Sequence, residues 1–154
     1  MNVSGEITVK APRAAVFAKL QDAPFFASCV EGVRDLQAID ERRYAAVMET
    51  KVAYMKFIFK VAVEIVSLAP PDRIEAKIEG TPLGIVGRLN ASSSTTLTEA
   101  GDGSHIAYAV DVALTGKLGA LGAPVLRSKA KELEKQFGAN LQRAFEPAPA
   151  GGAS

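Results

Sequence analysis

From Asn2 to Lys10 apolar and polar side chains alternate. Val3, Gly5, Ile7 and Val9 fall on one side and Ser4, Glu6, Thr8 and Lys10 on the other, the two-residue period of a half-buried strand. Pro12 then opens a stretch in which Val16, Phe17 and Leu20 share a helical face, and Asp22 caps a second short helical stretch through Phe25, Phe26 and Cys29 that stops at Gly32. From Val33 to Leu114 the alternation returns, broken at hairpin spacing, and predicts six more strands. The inward register holds Tyr44, Ala46, Met48, Thr50 and Val52; Phe59, Val61, Val63 and Ile65; and Ile74, Ala76 and Ile78. It continues through Leu89, Ala91, Ser93, Thr95 and Leu97, then Ile106, Tyr108, Val110, Val112 and Leu114. Glu49, Lys51, Lys60, Glu64, Glu75 and Lys77 alternate with these, so one face is wet and the other covered. The cover is the C-terminal segment, where Leu121, Val125, Leu133, Phe137, Leu141 and Phe145 recur at helical spacing. Lys129, Lys131, Glu132, Glu134 and Lys135 lie mostly elsewhere on the wheel. The pattern predicts one α+β domain over residues 1–145: a curved antiparallel seven-stranded sheet wrapped around a long C-terminal helix, with two short helices after the first strand. Residues 146–154, Pro-, Ala- and Gly-rich, read as a disordered tail.

The turns fall into two sets. Those after the second, fourth and sixth strands are polar: Asp40-Glu41-Arg42, Pro70-Pro71-Asp72 and Ala100-Gly101-Asp102-Gly103. Those after the third, fifth and seventh are apolar: Val52-Ala53-Tyr54-Met55, Thr81 to Val86 and Gly116 to Leu121. In an up-and-down sheet alternate turns share an end, so the apolar tips should cluster, and such a patch needs a reason. Membrane contact is one: Tyr54, Met55, Leu83, Ile85 and Leu118 would enter the interface, with Lys51, Lys56, Arg88 and Lys117 meeting anionic head groups. A lid over an internal site, or a partner's docking surface, accounts for the same tips.

The inward set mixes bulk with small or hydroxylated residues, among them Ala46, Thr50, Ala76, Ala91, Ser93 and Thr95. Interiors pack closely, so small side chains under a curved sheet predict a ligand cavity. Tyr44, Thr50, Ser93, Thr95 and Tyr108 would be its polar handles. The alternative is a flatter sheet with the helix packed fully into it. With 154 residues and 48% hydrophobic content the chain suits one domain. A net charge of +1 offers no field for nucleic acid. One cysteine and one histidine leave no set for metal or nucleophilic chemistry. Cys29 reads as a small buried hydrophobe, His105 alternates to the outer face, and the inward register of the strands holds no carboxylate, so no catalytic residue is expected. Gly80, Gly84 and Gly87 read as hinges of a mobile loop. No apolar run reaches the roughly 18 residues of a membrane span, and the chain reads as cytoplasmic, peripheral at most.

Several runs then resemble the CoxG family of carbon monoxide dehydrogenase subunits, a branch of the START/Bet v 1-like superfamily of helix-grip domains. They are Pro12-Arg13-Ala14-Ala15-Val16-Phe17, Leu20-Gln21-Asp22, Cys29-Val30-Glu31-Gly32, Arg43-Tyr44, Ile106-Ala107-Tyr108, Lys135-Gln136-Phe137 and, most specific, Gly116-Lys117-Leu118-Gly119-Ala120-Leu121-Gly122. The chain departs from the family at Val30-Glu31, where Ile-Pro is common, and at Ala53-Tyr54, where Gly-Pro is common. The resemblance implies a non-catalytic accessory protein of a molybdenum hydroxylase of the carbon monoxide dehydrogenase type. Combined with the apolar interior, it implies no intrinsic cofactor but a bound lipophile, above all a respiratory quinone, carried between membrane and enzyme. Tyr44, Ser93, Thr95 and Tyr108 would anchor the ring. Phe59, Val61, Val63, Ile78, Leu89 and Val112 would line a tunnel for the tail, with Met48, Ala76, Ala91, Val110 and the helix residues Leu121, Val125, Leu133 and Phe137 completing the wall. A ligand-free recruitment module and a polyketide cyclase or dehydratase-like enzyme are the other readings.

Overall fold

The first and second strands, neighbours in sequence, stand at opposite edges of one sheet, and this placement shapes the molecule. The computed structural model describes residues 1–52 and 54–145; the expected tail lies outside them. The sheet runs in the order β1-β7-β6-β5-β4-β3-β2, with β1 Asn2–Val9, β2 Val33–Ala38, β3 Arg43–Val52, β4 Met55–Ala69, β5 Arg73–Pro82, β6 Gly87–Ala100 and β7 Gly103–Gly116. Every neighbouring pair is antiparallel. To pass from β1 to β2 the chain must cross from one edge to the other, and α1 (Arg13–Gln21) and α2 (Ala23–Ser28) make that crossing. Pro12 precedes α1, where the missing N–H is no loss, and the Asp22 carboxylate accepts a hydrogen bond from the Phe25 N–H at the start of α2. A register shift after Ile65 in β4, and another in β2 with Asp35 at φ 56°, let the strands bend.

The registers place the expected inward residues on one face. Tyr44, Ala46 and Met48 lie opposite Val63, Val61 and Phe59; Ala76 and Ile78 lie opposite Ser93 and Ala91; Thr95 lies opposite Tyr108. A single 3-10 turn at Gly119–Leu121 leads into α3 (Ala123–Ala144), so Leu121 stands just ahead of the long helix. That helix lies along the β1 side of the concave face, where Gly138 lets it approach Ile7 within 3.8 Å of a Cβ built on the glycine.

Burial is concentrated at two ends. One cluster joins Ile7, Val9, Val16, Phe17, Leu20, Leu97, Ile106 and Leu141. The other joins Val52, Phe57 and Leu118, with Phe59, Ile85, Leu89, Leu114, Leu121 and Val125 packed against them.

Candidate ligand-binding site

Between the clusters the concave face is lined but not packed shut. Met48, Val61, Val63, Ile78, Ser93, Val110 and Val112 stay half-buried and belong to neither cluster, and Ala46 and Ala76 keep the same partial exposure. Ala91 sits at 9% exposure in the middle of this belt. This belt of short and aliphatic side chains, on the face that the helix covers, keeps apolar surface partly exposed between the clusters.

Other expected site residues go to the ends. Phe59, Leu89, Leu121 and Val125 pack on the cluster of Val52, Phe57 and Leu118, and Tyr108 and Phe137 on the opposite one. Phe137 also meets the Phe26 ring of α2 at 4.9 Å between centroids. Tyr44 is corrected as an interior handle: its hydroxyl donates to the Glu41 carbonyl at 3.0 Å, so the β2–β3 turn holds it. The Ser93 hydroxyl is turned toward the Ala76 carbonyl at 3.5 Å.

The polar handle that exists is a pair the sequence pattern divided. Glu134, placed on the wet side of the helix by the Leu133–Phe137 stripe, turns toward the sheet, and the Tyr108 hydroxyl donates to its Oε2. Gly5 makes room for them, since a Cβ there would overlap both the carboxylate and the phenol oxygen. The signal in the sequence was Gly138: with Leu141 it marks the buried stripe of α3, and Glu134 stands four residues before it on the same face. Ser104 is a second residue missed, fully buried with its hydroxyl donating to the Ala11 carbonyl at 2.6 Å. His105 is on the outer face, its Nε2 3.0 Å from Glu6 Oε1. Cys29 is buried at 3% exposure, its carbonyl receives the Asn140 amide, and burial pushes its thiol pKa up.

The three apolar turns do meet at one end, where they split into a plug and a rim. Leu118 is 1% exposed, so its expected place at a membrane surface is corrected: it fills the end of the grip. Ile85 packs half-buried against it. Tyr54, Met55, Leu83 and Val86 form the exposed rim, with Lys51, Lys56, Arg88 and Lys117 also exposed nearby. The expected glycine hinge is corrected too. Gly80 lies inside β5, and Gly87 begins β6 with its Cα side pressed on the Thr115 carbonyl; only Gly84 stands in the turn with open space around it.

A cavity of about 360 Å³ opens beside the belt, between the β3–β4 hairpin and α3. It is lined by Glu31, Glu49, Thr50, Lys51, Lys56, Lys129, Glu132, Leu133 and Gln136. Thr50 and Leu133, expected in an apolar lining, thus border a charged cleft. Lys56 and Arg34 flank Glu49 at 3.2 and 3.1 Å, and Lys129 meets Glu132 at 2.5 Å.

The family model of the CoxG subunit of carbon monoxide dehydrogenase matches residues 5–146. The chain belongs to this family. Among solved structures it is similar to a conserved protein from Geobacillus kaustophilus, at 26% identity and TM-score 0.86 over 94% of each chain. It is similar in fold to a START superfamily protein from Mycobacterium smegmatis, at 11% identity and TM-score 0.71 over 93% of this chain and 95% of that one. It also resembles Ara h 8.0201, at 15% identity and TM-score 0.66 over 94% and 96%. No curated protein matches the sequence. The fold is the START/Bet v 1-like helix grip. In this CoxG-family chain the run from Gly116 to Gly122 has a structural task. Gly116, at φ 62°, passes so close to the β5–β6 turn that a Cβ would lie 2.5 Å from the Val86 carbonyl; Lys117 N–H then donates to that same oxygen at 2.9 Å. The turn so fixed drives Leu118 into the end of the sheet.

Proposed function

We propose that this protein is a non-catalytic accessory protein of a molybdenum hydroxylase of the carbon monoxide dehydrogenase type. In this reading it holds a lipophilic molecule, above all a respiratory quinone, in the gap between its two clusters and links the enzyme to the membrane. The belt of Met48, Val61, Val63, Ile78, Ala91, Val110 and Val112 carries the proposal, because partly exposed aliphatic side chains inside a closed-ended grip gain free energy when a ligand covers them. Membership of a family named for carbon monoxide dehydrogenase supports the partner, and the START-like fold supports the ligand. The tail of the ligand would lie along the belt, and the Tyr108–Glu134 pair, whose hydroxyl proton is already given to the carboxylate, would accept a hydrogen bond from a ring hydroxyl of the reduced ligand. No helix among the described residues is long and apolar enough to cross a membrane, so the link would be made by the exposed rim.

Native mass spectrometry of freshly purified protein, followed by solvent extraction, tests the proposal by seeking a bound lipophile. Ala91→Trp should fill the middle of the belt, leave the fold intact by circular dichroism, and reduce uptake of an added quinone at least about tenfold, a loss of some 1.4 kcal/mol. Unchanged uptake by that variant would place the ligand elsewhere. The Tyr108–Glu134 pair also gives the cyclase or dehydratase reading a titratable group; recovery of the ligand chemically altered after incubation would favour it.

A further inference from the structure

Both ends of the grip are closed, so whatever occupies the gap must reach it from the side. At one end Leu118, 1% exposed, packs with Val52 and Phe57; at the other Leu97, Ile106 and Leu141 are 1%, 3% and 0% exposed. The sheet has a break where β2 begins. Glu49 N–H donates to the Gly32 carbonyl at 2.9 Å, and beyond that bond β3 is paired by β4 alone, its β2-side edge left open among the described residues, so that edge borders the cleft of about 360 Å³ beside α3. We infer that this lateral cleft is the portal of the internal gap and that it admits an amphiphile, apolar chain first, whose head is polar but uncharged. The inference rests on the carrier reading given above.

The chemistry of the cleft sets the class of ligand. Its lining carries three lysines and three glutamates, which balance to zero, so neither an anionic nor a cationic head gains from a net field. Lys56 and Lys129 are already engaged by Glu49 and Glu132. Lys51 has no ion-pair partner among the described residues, and by the two-residue alternation from Glu49 its N–H points to the same unpaired edge. The cleft therefore presents a backbone N–H as a spare donor, with the Gln136 amide beside it. Carbonyl oxygens of a neutral ring accept from such donors without the desolvation cost of a full charge. Thr50 and Leu133 continue the wall inward: Thr50 lies on the inward register of β3 and Leu133 on the covering helix.

The test is kinetic, because a portal changes rates more than affinity. Lys51→Cys, labelled after folding with a bulky maleimide, obstructs the cleft without challenging folding; the native Cys29 is 3% exposed and takes no label. Binding of a benzoquinone bearing a decyl chain is followed by quenching of tyrosine fluorescence, which no tryptophan obscures. Association and dissociation should both slow at least about tenfold while Kd stays within about threefold. Gln136→Phe, which sets an aromatic ring across the same cleft and leaves the tyrosine signal unobscured, should slow them likewise. Unchanged rates in both variants overturn the portal, as does slowing produced only by the same label on Leu83→Cys at the apolar rim. Decanoate binding as tightly as the decylquinone overturns the uncharged-head assignment. Failure of the unmodified protein to bind the quinone overturns the carrier reading itself, an outcome distinct from the other three.

Discussion

Glu134 shows how one side chain decides the chemistry available to the interior. The pattern of large apolar residues on α3 centres on Leu133 and Phe137, yet the residues packed most deeply are Gly138 and Leu141, so the buried face is rotated from the one that bulk marks. Glu134 follows that rotation and meets Tyr108. Glu134→Ala should leave the Tyr108 hydroxyl without its partner in a half-buried place and cost about 1 kcal/mol of unfolding free energy. Glu134→Gln should recover most of it by accepting through its amide oxygen. Gly5→Ala should act on the same pair from the strand side, because the added methyl needs the space both oxygens occupy. Chemical denaturation of the three variants and of Gly5→Ala/Glu134→Ala checks this: the two substitutions should be less than additive if they act on one contact.

The three turns at the apolar end look alike in sequence and differ in role, because strand length and turn geometry decide which tip folds inward. Gly116 bends back on Val86 and sends Leu118 into the cluster, whereas the β3–β4 and β5–β6 turns project outward with Tyr54, Met55 and Leu83 exposed. Leu118→Ala should therefore destabilise the protein by about 2 to 5 kcal/mol, and Leu83→Ala by no more than about 0.5; thermal unfolding of the pair measures the difference. For the exposed rim the expected outcome concerns lipid. A buried leucine-sized side chain contributes roughly 1.5 to 3 kcal/mol and a nearby basic residue about 1, enough for reversible docking. The parent protein should float with anionic vesicles at low salt, and Met55→Asp combined with Leu83→Asp should not. A parent that stays at the bottom of the gradient sinks direct docking and leaves the partner enzyme to bring the carrier to the membrane.

Across the whole molecule, two buried clusters with a half-buried belt between them mean that stability is carried at the ends. Acid should weaken the surface links first. The backbone N–H of Arg42 and the Arg43 side chain hold the Asp40 carboxyl below its ordinary 3.8, and Lys56 with Arg34 holds Glu49 below 4.5. A depressed folded-state pKa stabilises above the unfolded value and loses that contribution as pH falls through the folded one, so the urea midpoint should begin to drop as the pH falls below 4.5 and drop further below 3.8. Asp40→Asn with Glu49→Gln should flatten that slope.

The sequence by itself determined the element order, the inward register of β3 to β7, the covering helix and the meeting of the three apolar turns, because each follows from a local period or from the up-and-down order of a meander. It also placed His105 outside and Cys29 within, by alternation and by neighbours. What only the tertiary structure decided was how far the helix lies from each strand. α3 stands over β1 rather than the middle of the sheet, and this offset leaves Met48, Val61 and Val110 unpacked, turns Glu134 inward and opens the charged cleft at Thr50. The direction of the Leu118 turn and the capture of the Tyr44 hydroxyl by Glu41 were likewise settled by contacts across the fold or across a turn. A two- or 3.6-residue period fixes which side of an element a residue takes; the distance and rotation between elements come from packing summed over many side chains, and no local pattern records that sum.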